Sequence, residues 1–187
     1  MTRTGAKGSC PEKVKAALQD VCRVHTEVME ALATALDVST YGSVNIECAY
    51  VAGRQSRPQC DVSCMISDEM FREFVVPCLI SEGDDADAFI YHLDGPGALR
   101  HVEALCEIKD LDLIAWVPGA GQKDEDWSSL HEKIDLLGKG HSQYRATQQQ
   151  IIDSWSHYQS RKLIFGTTVK SRAEMEDFLG CLENVKK

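Results

Sequence analysis

Short apolar runs alternate with helix-like stripes through most of this chain, and that alternation narrows the fold more than any other feature. Residues 86–92, 111–117 and 162–167 are apolar runs of strand length, flanked by Gly, Pro, Asp or Ser. Residues 97–108, 126–137 and a stretch from Thr147 read as helices between them. A strand that returns to its sheet through a helix lies parallel to its predecessor. The pattern therefore predicts an α/β protein, a parallel sheet with surrounding helices. Residues 43–50 and 142–145 are weaker strand candidates, giving five or six strands. A closed eight-stranded barrel takes about 250 residues, and this chain has 187.

Helix punctuation is legible. Ser9, Pro11 and Glu12 form a helix start, and Val14, Leu18, Val21, Val28, Leu32 and Leu36 make a stripe behind it. Residues 59–66 read as extended. Ser67 caps a helix with Asp68 and Glu69 in its first turn, which Pro77 kinks or ends. Ser171 and Glu174 form a second capping box. No linker or repeat marks a second domain, so residues 1–187 read as one domain with an N-terminal helical segment over 1–40.

The apolar run Ala88-Phe89-Ile90 leads into Tyr91-His92-Leu93-Asp94-Gly95-Pro96-Gly97. Two ionisable groups thus sit where a strand gives way to a loop, the position at which barrel enzymes gather catalytic side chains. The plainer alternative makes Asp94 a helix cap and His92 a structural histidine.

A net charge of −9 argues against general affinity for nucleic acid or an anionic membrane. No stretch is long and apolar enough to span a bilayer, and the N-terminus does not read as a secretory signal. The eight cysteines then read as cytosolic thiols in a cytoplasmic protein. Cys60 and Cys64 would lie roughly 13 Å apart on a strand at about 3.3 Å per residue, too far to share one ion. No second Cys pair supplies further zinc ligands.

Several segments resemble the uroporphyrinogen decarboxylase superfamily. They are Gln59-Cys60-Asp61-Val62-Ser63, Met65 to Phe71, and Phe74-Val75-Val76-Pro77. Tyr91-His92-Leu93-Asp94-Gly95-Pro96-Gly97-Ala98 resembles the next strand end in a divergent branch. The pattern continues through Ala115-Trp116-Val117-Pro118-Gly119-Ala120-Gly121, Trp127 and Gly138-Lys139. The resemblance runs from about Glu47 to the C-terminus and implies a (β/α) TIM-barrel-like fold, here incomplete. It also implies either cofactor-free decarboxylation or zinc-dependent methyl transfer with a corrinoid or thiol partner. The methyltransferases carry His-Xaa-Cys at this strand end and a later Cys. Here the match gives His92 and Asp94, and the late Cys181 falls inside the last helix. The N-terminal part of the barrel, with the decarboxylase's Arg-rich segment, has no counterpart.

The expectation that follows is acid–base decarboxylation of a carboxylated small molecule without cofactor or bound metal. His92, Asp94 and Asp61 are the catalytic candidates: His92 relays a proton and a carboxylate steadies the cation formed. Glu47, Trp116, Arg54, Arg57 and Arg100 are the substrate-binding candidates, the arginines for carboxylates. The alternatives are a metal-dependent methyltransferase, with Glu47 or Cys64 joining His92 and Asp94, and a non-catalytic partial barrel. An incomplete barrel further implies a homodimer or a partner chain that completes it.

Overall fold

The computed structural model describes residues 10–46, 49–122 and 125–185. Its centre is a five-stranded sheet, wholly parallel, whose strands stand in sequence order. The strands are β3 (Gln55–Ser56), β4 (Ala88–Asp94), β5 (Leu113–Val117), β6 (Gly140–Gln143) and β7 (Leu163–Phe165). Each is followed by helix: α3 (Asp68–Met70) and α4 (Val76–Gly83), α5 (Val102–Cys106), α6 (Ser128–Leu136), α7 (Gln148–His157) and α8 (Arg172–Asn184). Before the sheet come α1 (Pro11–Ala35), the short α2 (Val38–Tyr41), and an antiparallel pair, β1 (Ser43–Val44) and β2 (Tyr50–Val51). Sequential parallel order is that of a barrel wall. No pairing joins β3 to β7 among the described residues, so the sheet is open.

Alternation along β4 and β5 sorts their side chains onto two faces. Phe89, Tyr91, Leu93, Ile114 and Trp116 pack with Phe71, Leu79, Val102, Leu105, Leu130 and Ile134 of the helices in the main core. Ile90, Leu113 and Ala115 face the other way and are buried against one another, with Ile164 of β7 beside them. Gly83 is fixed by the main core. A Cβ there would lie 2.3 Å from the Phe89 ring, so only glycine lets α4 approach β4 this closely.

Three polar groups lock the end of the sheet where β4, β5 and β7 begin and the loops beside it. The Asp112 carboxylate accepts from the Phe89 amide at 2.9 Å and from the Lys162 ammonium. Asp135 accepts from the amides of Gln159 and Ser160. The buried Lys139 ammonium donates to the carbonyls of Ile108 and Lys109 just past α5, where a helix C-terminus favours a cation.

Several boundaries differ from the sequence expectations. Residues 59–66 are not extended: a 3₁₀ helix spans Asp61–Met65, so the 13 Å strand spacing of Cys60 and Cys64 does not apply. The first parallel strand, at Gln55–Ser56, is not among the expected strands, and 43–50 contributes to a short antiparallel pair with Val51. Pro77 does not end its helix. A wide π turn over Phe71–Val75 resets the register, so Pro77 falls in the first turn of α4, where its missing N–H costs nothing. Ser9 lies outside the described residues, and the residue capping α1 is Cys10, with no side-chain bond.

Candidate functional site

The parity of β4 determines the site. Ile90, His92 and Asp94 share one face, in register with Leu113, Ala115 and Val117 of β5. His92 and Asp94 are therefore same-face neighbours about 7 Å apart along the strand, at its C-terminal end. Beyond β3 the chain stays alongside β4. The His92 amide donates to the Pro58 carbonyl at 3.0 Å, and Gln59 bridges to His92. This brings the Arg57 Nη2 to 2.8 Å from the His92 Nδ1. A guanidinium has only donors, so Nδ1 accepts with its lone pair and the ring proton sits on Nε2.

The Gln59 amide nitrogen donates to the Asp61 carboxylate at 3.0 Å. Arg57, His92, Gln59 and Asp61 thus form a continuous polar row along the rim, with exposed Asp94 beside it. Gly95 follows at φ +73°, and its amide donates to the Val117 carbonyl, closing the turn after Asp94. Arg57 also reaches a cleft of about 360 Å³ along the β3 edge, whose walls include Arg54, Gln55, Glu30 and Glu82.

The 61–65 segment is held from below by His101. Its fully buried ring stacks on Phe71 at 4.2 Å. The Nε2 faces the Ser63 carbonyl at 2.9 Å, and Nδ1 lies 3.3 Å from the Asp68 carboxylate. Asp68 is held below the usual carboxylate range, chiefly by its bond from Arg72 and less by His101.

The predicted site residues divide. His92, Asp94, Asp61 and Arg57 come together. Arg54 does not join them: it lies just before β3, paired with Glu30 of α1, though it shares the cleft that Arg57 enters. Arg100 is exposed and donates to the Gly97 carbonyl. Trp116 pairs in register with Leu93, which puts it on the opposite face of the sheet from His92, against Trp127. Glu47 lies outside the described residues. Gln59 has no signal of its own in the sequence, because its place beside His92 depends on the two-residue strand β3 and its register with β4. The same holds of His101, for which no local pattern gives a signal.

Among the described residues no three His, Cys, Asp or Glu side chains converge in a way that fits a metal ion. Cys64 contacts its own helix, donating to the Asp61 carbonyl at 3.6 Å. The fold and the rim define an α/β protein with an open parallel sheet and a polar site at its strand ends. No family model, curated protein or solved structure matches the chain.

Proposed function

We propose that this chain is a uroporphyrinogen decarboxylase-like protein that performs acid–base decarboxylation on a carboxylated small molecule at the rim around His92. The observation that carries the reading is the Arg57–His92 pair on the face shared with Asp94. Decarboxylation of a pyrrole acetate needs a fixed cation for the substrate carboxylates, an acid that protonates the ring, and an anion that holds the resulting cation until carbon dioxide leaves. Arg57 supplies the first; once a substrate carboxylate draws Arg57 off Nδ1, that nitrogen takes a proton from water and His92, as imidazolium, supplies the second; Asp61 or Asp94 supplies the third. The sequence resemblance at residues 91–98 supports the same assignment.

The test is carbon dioxide release from porphyrinogens that carry acetate side chains and from simpler pyrrole acetates. His92→Ala should lower the rate by about 10²–10⁴-fold, the usual share of a general acid, and Arg57→Leu should raise KM. An intact protein with no release from any of these substrates, or full activity in His92→Ala, ends the proposal.

The open edges at β3 and β7 favour a second reading, in which the chain is a partial barrel that works with a second copy or a partner. A paired assembly is compatible with the decarboxylase reading. Specific activity that rises with chain concentration as the chains associate would support both.

A further inference from the structure

A second concavity opens beyond the C-terminal ends of β5 and β6, between the loops that lead into α6 and α7. Its volume is about 720 Å³, within the range of small-molecule sites. Trp116, Trp127, His131, Ser142, Gln143 and Tyr158 are among its walls. Two of these carry buried polar atoms without a hydrogen-bond partner on the face of the sheet covered by α6: Trp116 Nε1 and His131 Nε2. Trp116 is 3 % exposed. Buried polar atoms in folded proteins are nearly always satisfied, so two orphans beside one cleft call for a partner from outside the chain. Trp127 shows the contrast, since its own Nε1 donates to the Gln122 carbonyl.

The walls define the chemistry of that partner. The two indoles meet edge to face, centroids 5.0 Å apart, and the half-buried Trp127 gives the cleft an aromatic wall for a planar ring. The Trp116 Nε1–H only donates, so the ligand must bring an acceptor. Burial pushes the His131 imidazole down to about 4, so it adds no positive charge near neutrality. Among the described residues that wall the cleft, Glu125, Asp126 and Asp153 are set against Arg145 as the sole guanidinium or ammonium. That balance repels polycarboxylates and phosphates.

From this we infer that the cleft between the β5–α6 and β6–α7 loops binds an uncharged planar heteroaromatic ring of nucleobase type, with a ring nitrogen or carbonyl facing Trp116. The site lies across the sheet from the Arg57–His92 pair, and its acidic walls disfavour the anions proposed for the rim. It stands or falls independently of the decarboxylase reading.

Calorimetric titration of the full chain with adenosine and with adenosine 5′-monophosphate tests the assignment. Adenosine is expected to bind saturably, with the monophosphate at least about tenfold weaker because of the acidic walls. Trp116→Phe keeps an aromatic ring and removes the orphan donor. It should weaken adenosine about tenfold without lowering the melting temperature. Asp153→Lys, an exposed change on α7, should narrow the gap between the two ligands and guards against a misfolded Trp116 variant. Absence of adenosine binding, equal binding of the monophosphate, or unchanged binding in both variants overturns the inference.

Discussion

At the residue scale the pair His131–His141 behaves unlike the rim histidine. Their rings stack at 4.6 Å, and Tyr158 closes edge-on over His141. His141 is fully buried, and neither of its ring nitrogens has a partner. Burial lowers His141 to about 3 and His131 to about 4, both from an ordinary value near 6.5. Protonation therefore favours the unfolded chain. The stability that these neutral rings contribute is complete above about pH 6.5 and is lost as pH falls from there toward 4. Thermal melts between pH 7.5 and 4 should show a falling midpoint, and His141→Phe should flatten that fall. A midpoint equally steep in the variant would place the acid sensitivity elsewhere.

At the scale of single elements, caps account for several boundaries. Thr147 accepts from the Gln150 amide at 3.2 Å, and the Gln150 side chain accepts from the Thr147 amide at 2.8 Å, a complete capping box at the start of α7. Thr147→Ala should cost about 1 kcal/mol, a melting shift of about 2–4 °C for a chain of this size, measured by circular dichroism. An unchanged midpoint would mean that α7 is held by Ile151 and the Ser154–Gln143 bond alone. The Ser171 cap is only half of the box its sequence suggests. Ser171 accepts from the Glu174 amide, but the Glu174 carboxylate turns to the Lys170 amide. Such a difference of one residue is set by the loop before the helix.

At the scale of the whole molecule, what is missing matters most. The strand order is that of a barrel wall, yet β3 and β7 remain edges. The long helix α1 packs on α4, and Lys15 reaches Glu73 at 2.9 Å, but no residue of α1 is buried. Val21, Val28 and Leu32 of its stripe, and Leu36 just after it, are exposed. Edges and apolar stripes of this kind are usually covered. Sedimentation equilibrium at micromolar concentration should therefore give a dimer or larger species. A stable, cooperatively melting monomer would show that the open sheet is sufficient by itself.

Local signals determined the parallel α/β class, the helix stripes, the caps at Ser67 and Ser171, the start of a helix near Thr147, and the placing of His92 and Asp94 on one strand end. Each depends on neighbours within a few residues, so spacing and propensity are enough to reveal it. Tertiary structure decided the rest. Arg57 meets His92 across 35 positions because Gln55–Ser56 forms a strand too short to read from its own residues. Trp116 faces away from that pair because parallel register couples it to Leu93. Contacts between distant segments depend on which surfaces the packed core leaves adjacent, and a linear pattern carries no record of that.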